Sequence, residues 1–309
     1  MAQKDFEHYK KNLIPLCSQE KLKNIFPGEW ESIYTGGGIE FDSIKPFEPG
    51  DDLKDIDFHT LVQSGEEEII HRKAGRQMKI FICADFSGSM QRFEKMFFPS
   101  KPKIREMVIG LLLFSTWKIY SPVGLFSFNG EINQFFPARY GQSYCEKILR
   151  WIINNDKGGN NNSHSVFDIQ KTLAFLQREV SPQSMVFFVS DFEDHIFEGD
   201  FTTLLRPAVE KFDLIPVIIG DPLLKKDCLK KPLRVAVRNN EGDKRVEEIF
   251  LTPQKLKRMQ EISHKHLLHL RKNFRQLGID PVIVDTHSMN RCYKIFTDFF
   301  RIRQFTRRH

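Results

Sequence analysis

The sequence predicts an α/β protein built on a doubly wound, mostly parallel sheet. From about residue 78 onward, short apolar runs of strand length alternate with longer segments of helical periodicity. The runs at 78–85, 185–191 and 214–221 are apolar almost throughout, as in strands that are buried on both faces. Such alternation places helices on both faces of a parallel sheet, so we expect this architecture.

Each predicted element has a local signal of its own. Pro102 stands at the start of the first helix, where its missing N–H costs little. Asn129 and Gly130 predict a tight hairpin turn after the second strand. The longest helix has Thr252 as its cap and Gly278 as its stop. In chain order, we predict strands at 78–85, 123–128, 132–136, 185–191, 214–221, 233–237, 245–250 and 281–285, and helices at 103–117, 145–153, 166–179, 201–212, 253–277 and 289–301.

The chain divides into two predicted parts. Residues 1–77 form an N-terminal extension, helical near its start and extended and turn-rich from 35 to 58. Residues 78–309 form the α/β domain. Within this domain a small β-hairpin insertion is expected near 230–250, because two strand-like segments flank the turn sequence NNEGD.

The amino-acid composition limits the class of protein to which this chain can belong. Of 309 residues, 40% are hydrophobic and 28% charged, which is typical of a globular domain rather than of a disordered or fibrous chain. The N-terminus has no apolar signal region and no run of about 18 apolar residues occurs, so we expect a cytoplasmic protein without a transmembrane segment. The five cysteines show no paired spacing, which favours reduced thiols over disulfides or a zinc site.

The charge is unevenly distributed along the chain. The net charge is +6, yet residues 40–57 carry seven acidic side chains against two basic ones. Residues 291–308 carry six basic side chains against one acidic one. Opposite charge on separate faces suits a protein partner, and without a nucleic-acid motif it is weak support for nucleic-acid binding.

Polar side chains follow two of the predicted buried strands. Asp85, Ser87 and Ser89 alternate where the first strand ends, so they point the same way in an extended segment. Ser190 and Asp191 end a second strand. The carboxyl ends of strands are where open α/β sheets place ligands. Carboxylate and hydroxyl oxygens suit Mg²⁺ or Mn²⁺, and such an ion would relieve repulsion between two carboxylates.

These residues carry a resemblance to a known family. DFSGS (85–89) resembles the DxSxS signature of the von Willebrand factor A fold and its metal-ion-dependent adhesion site, and VSDF (189–192) looks like the aspartate of that family's fourth strand. The stretch GIEFDSIKPFEPGDDLKDIDF (38–58) is similar to a motif of bacterial A-domain proteins known as domain of unknown function 58. The motif positions are Glu40, Phe41, Gly50, Asp51, Asp52, Asp55 and Asp57. Members of this family are commonly encoded beside MoxR-type AAA+ ATPases.

The resemblance implies a metal site with one changed ligand. Its ligands would be Asp85, Ser87, Ser89 and Asp191, together with a threonine from the loop before the third helix. Here that loop is GGNNNSHS (158–165) and has no threonine, so Asn160, Asn161 or Ser163 would substitute, with Asn160 the chosen candidate, or no residue does. A crevice holding Mg²⁺ or Mn²⁺ and a crevice that binds its partner without metal both stay open. For the acidic motif we expect a structural role, with its aspartates paired to basic residues.

Three classes of function compete at this point. The resemblance implies a non-enzymatic protein-binding adaptor that works with a MoxR-type AAA+ ATPase, with other A-domain proteins as further candidate partners. A metal-dependent phosphohydrolase using Asp85 is the first alternative, but Ser87 stands where phosphoaspartyl enzymes need a general acid. Nucleic-acid binding through the basic C-terminal region is the second. We expect a binding module with no enzymatic activity and no nucleic-acid partner.

Two further features have simple interpretations. His264, His266 and His269 lie on the longest predicted helix, where we expect a solvated face rather than a metal site. The basic end RIRQFTRRH (301–309) is expected to be a solvated terminus.

Overall fold

The structure is a computed structural model of the chain, and it has the predicted α/β architecture. It describes residues 9, 14, 16, 40–46, 68–73, 78–91, 100–119, 121–129, 131–157, 169–221, 233–238 and 246–305. The strands in these segments are β1 (Glu40–Pro46), β2 (Glu68–Lys73), β3 (Ile80–Asp85), β4 (Val123–Asn129), β5 (Glu131–Arg139), β6 (Met185–Ser190), β7 (Asp213–Ile219), β8 (Leu233–Arg238), β9 (Val246–Leu251) and β10 (Val282–Val284). The α-helices are α1 (Gly88–Gln91), α2 (Lys101–Lys118), α3 (Gln142–Lys157), α4 (Ile169–Glu179), α5 (Thr202–Lys211), α6 (Pro253–Gln276) and α7 (Met289–Phe305).

Six of these strands form the central sheet. Their order is β10-β7-β6-β3-β4-β5, and every neighbouring pair is parallel except the β4–β5 hairpin at one edge. Numbered within the sheet, this is the 3-2-1-4-5-6 order of doubly wound folds. The first three strands, β3 to β5, extend the sheet to one side of β3, and β6, β7 and β10 extend it to the other side. The topological switch point therefore lies between β3 and β6.

Hydrophobic side chains fill both faces of the sheet. Alternate residues of β3 point to opposite sides, with Ile80 and Ile82 in one core and Phe81 and Cys83 in the other. Helices α2, α3 and α7 cover the first face. Helices α4, α5 and α6 cover the second. Both faces of β3 and β6 are thus buried, which explains why their sequences are continuously apolar.

Helix α2 is the most deeply buried helix of the first layer. All but three of its residues are buried. Tyr9 from the N-terminal part packs against it, with its ring stacked on Phe114 at a centroid distance of 6.0 Å. A Cβ at Gly110 would lie 2.6 Å from Cε1 of Tyr9. The glycine therefore creates the space that this ring occupies.

Two short antiparallel pairs lie outside the central sheet. Strands β8 and β9 pair as the predicted hairpin insertion. Strands β1 and β2 form the other pair, in the region predicted as an extended N-terminal extension. The boundary between 1–77 and 78–309 stays a prediction.

The C-terminal end of the described chain differs from expectation. Helix α7 continues to Phe305, beyond the predicted limit of 301. Arg303 donates a hydrogen bond to Asp213 at the start of β7, with 2.6 Å between Nη2 and Oδ1. Both side chains are largely buried. The prediction of a solvated end is therefore wrong at Arg303, because this arginine anchors the last helix to the sheet; residues 306–309 lie outside the described segments.

Two remaining predictions concern thiols and membranes. The three described cysteines, Cys83, Cys145 and Cys292, are buried free thiols. Within the described segments, no helix has the length and apolar character needed to cross a membrane.

Candidate binding crevice

The crevice forms where two neighbouring parallel strands end. Ala84 of β3 is paired with Val189 of β6, so Asp85 and Ser190 follow side by side at the same edge of the sheet. The hydroxyl of Ser190 donates to Oδ2 of Asp85 at 2.5 Å. Strand order and register therefore bring together two segments that are about 100 positions apart.

Asp85 is an enclosed carboxylate of the crevice, with 3% of its surface exposed. Its Oδ1 accepts a hydrogen bond of 2.7 Å from the backbone N–H of Ser87. Burial raises the pKa of Asp85 to about 6, with a further contribution from the nearby negative charge of Asp191. The hydrogen bonds from Ser190 and Ser87 act in the opposite direction.

A chain of hydroxyl groups joins the two strand ends. The Oγ atoms of Ser87 and Ser89 are 3.0 Å apart. Ser89 in turn donates to Oδ1 of Asp191 at 3.1 Å. The structure thus brings all four of the predicted residues Asp85, Ser87, Ser89 and Asp191 into one connected cluster.

Lys101 is a member of this cluster that the sequence analysis missed. It is the first residue of α2, and its Nζ lies 2.8 Å from Oδ2 of Asp191 and 2.7 Å from Oε1 of Glu193. The side chain is only 6% exposed. Burial disfavours the charged ammonium, but the carboxylates of Asp191 and Glu193 outweigh that effect and raise the pKa of Lys101 above its ordinary value. The lysine is therefore a fixed positive charge.

Arg105, one helical turn further along α2, was also missed. It is fully buried, and its Nη1 donates to the backbone carbonyl of Asp85. Its guanidinium carbon lies 3.6 Å from the centroid of the Phe86 ring. A detectable signal existed, because Lys101 and Arg105 stand at i and i+4 on an otherwise mostly apolar helix. Such a spacing indicates two cations on one face of the helix. In the structure Lys101 binds the carboxylates that follow β6, and Arg105 binds the carbonyl of Asp85.

An unusual backbone conformation supports the second strand end. Phe192 has a φ of 55°, in the left-handed region that bulky residues rarely adopt. Its N–H donates to Oγ of Ser190, and its carbonyl lies 2.8 Å from Nε2 of His266. Its ring packs in a cluster of phenylalanines: Phe188, Phe197 and Phe274. This packing holds the turn that lets Asp191 and Glu193 meet the same ammonium.

Helix α6 braces the loop that follows β6. Besides the contact from His266, Nε2 of His269 lies 2.9 Å from the carbonyl of Gly199. The expectation of a solvated face is therefore only partly correct for His266 and His269, which are half-buried and bind backbone carbonyls. It is correct for His264, which is exposed.

Several predicted positions cannot be placed in the crevice. Asn160 lies outside the described residues, as do Gly50, Asp51, Asp52, Asp55 and Asp57 of the acidic motif. Glu40 and Phe41 are the first two residues of β1, and only their backbone is described. Their roles stay predictions.

The hydrogen bonds of the crevice carboxylates show whether their oxygens are arranged to bind the expected divalent cation. Mg²⁺ requires about six oxygen ligands in near-octahedral geometry. Both carboxylate oxygens of Asp85 accept hydrogen bonds, and Oδ2 of Asp191 is bound by Lys101. Among the described residues, no group of three or more His, Cys, Asp or Glu side chains is arranged to hold a metal. With Lys101 bonded to Asp191, the hydrogen bonding of these residues does not fit a divalent ion. The binding of Mg²⁺ or Mn²⁺ itself stays a prediction.

Fold and crevice together define a class. A six-stranded doubly wound sheet with polar groups at its switch point is an α/β domain of the von Willebrand factor A type. The family model described as "Protein of unknown function DUF58" matches residues 43–248, two thirds of the chain, and the chain belongs to this family.

Similar proteins include two mycobacterial relatives. The uncharacterized proteins Mb1516 of Mycobacterium bovis and Rv1480 of Mycobacterium tuberculosis are each 20% identical to this chain over 212 residues. The match covers 68% of this chain and 63% of each relative, so it spans less than two thirds of their length.

Two solved structures are also similar. The conserved hypothetical protein BatB from Bacteroides thetaiotaomicron has a TM-score of 0.46 at 16% identity, covering 73% of this chain and 98% of that one. An aerotolerance-related membrane protein from Bacteroides fragilis, with multiple mutations to serines, has a TM-score of 0.46 at 14% identity, covering 73% and 99%.

Proposed function

We propose that this protein is a non-enzymatic binding module that holds a protein partner at the crevice between β3 and β6. The observation that carries the proposal is the contrast between the floor and the rim of the crevice. Lys101 and Asp191 are buried and bonded to each other, and Asp85 is buried and bonded to Ser190. By contrast, Ser87 and Ser89 are half-buried, and the side chain of Glu193 is 37% exposed. A rigid charged floor thus presents a polar rim to a partner at the switch point of the sheet.

The partner we propose is a MoxR-type AAA+ ATPase. The support is membership of a family whose members are commonly encoded beside such ATPases. The protein would then act as an adaptor in the assembly, maturation or stress tolerance of other proteins. This proposal places it in the cytoplasm, where such an ATPase finds its ATP.

The geometry gives no comparable support to catalysis by Asp85. A nucleophilic carboxylate needs an oxygen that a substrate can reach. Asp85 is 3% exposed, and both of its carboxylate oxygens accept hydrogen bonds. Magnesium-dependent phosphatase turnover by the purified chain, lost on Asp85→Asn, would overturn the non-enzymatic part of the proposal.

A binding measurement tests the partner. The purified chain is titrated with a purified MoxR-type ATPase from the same organism, and Ser87→Tyr is used to fill the rim. We expect Ser87→Tyr to weaken binding by at least tenfold. Ser143→Tyr is the matched control, because Ser143 is exposed and lies away from the crevice. It follows the end of β5, where Arg139 pairs with the first residue of β4, so it lies near the amino-terminal ends of the parallel strands. Equal binding by both variants would remove the crevice from the interaction.

A further inference from the structure

We propose that Lys101 is the built-in cation of the crevice, so that its ammonium stands in for a divalent metal and the site works without one. The inference deepens the proposed function by stating how its binding site is held together. The ammonium lies within 2.8 Å of a carboxylate oxygen of Asp191 and of one of Glu193. It therefore engages Oδ2 of Asp191, an oxygen that a metal bound at this carboxylate could use.

The charges of the cluster are already offset. Asp85 and Asp191 are two buried negative charges, and Glu193 adds a third at the rim. Lys101 bonds two of these carboxylates directly, and Arg105 brings a second positive charge to the backbone carbonyl of Asp85. A divalent ion at Asp191 would have to displace the ammonium. That exchange breaks two charge-assisted hydrogen bonds and leaves a buried lysine without its carboxylates.

The position of Lys101 indicates a specific role. A lysine at the first position of a helix is disfavoured by the helix dipole, and lysine is rarely buried without a partner. Lys103, two residues further on, behaves in the ordinary way: its side chain is 63% exposed and pairs with Glu106. Lys101 differs because two carboxylates from the end of β6 surround it. Lys103 thus supplies a matched comparison for Lys101.

The sequence points the same way. The loop 158–165 has no threonine, so the site that the family resemblance implies lacks its usual ligand at that position. The structure adds an ammonium at the aspartate that would have shared the metal with that ligand. A changed ligand position and a fixed cation beside Asp191 are both expected of a site that works without metal.

Metal binding by the free chain tests the inference independently of any partner. Mn²⁺ binding is followed by electron paramagnetic resonance, and the melting temperature is measured in EDTA and in excess Mg²⁺. For the wild type and for Lys103→Ala we expect no bound Mn²⁺ at millimolar concentration and no shift in melting temperature. For Lys101→Ala we expect a lower melting temperature in EDTA, a rise of several degrees with Mg²⁺, and bound Mn²⁺.

Two results would overturn the inference. The first is Mn²⁺ binding by the wild type that Asp191→Asn abolishes. The second is a Lys101→Ala variant as stable in EDTA as the wild type. If Lys101→Ala fails to fold, the wild-type titration alone decides. Neither result depends on whether the ATPase binds, so failure here and failure of the proposed function are separate outcomes.

Discussion

The Nζ atom of Lys101 lies 2.8 Å from Oδ2 of Asp191, and the exposed fractions of these two side chains are 6% and 2%. The two residues are 90 positions apart, at the first residue of α2 and just beyond β6. Breaking a buried pair is costly because the remaining charge has neither water nor a partner.

Removing one partner of this pair should destabilise the fold strongly. We expect Lys101→Met to lower the free energy of unfolding by about 3 kcal/mol at neutral pH, since it leaves Asp191 buried without its cation. Adding Asp191→Asn should recover part of that loss, which a double-mutant cycle in urea would measure. Strict additivity of the two substitutions would show that the pair is not coupled.

The buried carboxylate of Asp85 should make stability depend on pH. Its pKa is raised from 3.8 to about 6, so the folded state binds the proton more tightly than the unfolded state. This contribution to stability is complete below about pH 3.8 and is lost as the pH rises through about 6. Relative to Asp85→Asn, the wild type should gain about 1 kcal/mol between about pH 7.5 and about pH 5.

Urea unfolding of both proteins across that range would measure the effect. The Asp85→Asn variant serves as the reference for the wild type, because all other titrating groups are common to the two proteins. Parallel pH profiles would contradict a raised pKa at Asp85.

His266 should protect the loop after β6. Its Nε2 lies 2.8 Å from the carbonyl of Phe192, whose φ of 55° needs external support. We expect His266→Ala to speed amide hydrogen exchange of residues 193–199 severalfold with little change in global stability. His264→Ala on the same helix is the control, since His264 is exposed; an equal effect there would rule out the contact as the cause.

Gly110 should be intolerant of a methyl group. Alanine in a helix interior normally gains about 1 kcal/mol over glycine. Here its Cβ would lie 2.6 Å from the ring of Tyr9, which is itself buried and stacked on Phe114. We expect Gly110→Ala to cost about 1–3 kcal/mol in urea unfolding. In a Tyr9→Ala background the same change should become neutral or stabilising; an unaltered cost there would exclude Tyr9 as the obstacle.

The anchor of the last helix can be tested with a neighbouring ion pair as control. Arg303 pairs with Asp213 at 2.6 Å, with exposed fractions of 13% and 6%. Arg301 pairs with Asp298, with exposed fractions of 64% and 39%. We expect Arg303→Met to cost about 3 kcal/mol and Arg301→Met less than about 1 kcal/mol, because water screens the second pair. Equal melting temperatures for the two variants would contradict the anchoring role.

The fold was predictable because its signals are local. Continuous apolar runs mark β3, β6 and β7 as buried strands, and the alternation of strands with helices then favours a parallel sheet. In such a sheet the carboxyl ends of strands lie at one edge, so Asp85, Ser87, Ser89 and Asp191 were predicted to meet if β3 and β6 are neighbours, and the structure shows that they are. The hairpin of β8 and β9 was predictable for the same reason, from its turn residues.

What surrounds those residues was decided only by tertiary packing. Strand position sets the direction of a side chain, so the sequence indicated which carboxylates and hydroxyls lie at the ends of β3 and β6. It did not determine which cation would meet them, because Lys101 approaches Asp191 only once α2 has packed onto the sheet. The same holds for Phe192, His266 and Arg303, whose contacts join distant segments. Local patterns carry no information about such partners, since a long polar side chain can reach many positions and only the packed core selects one.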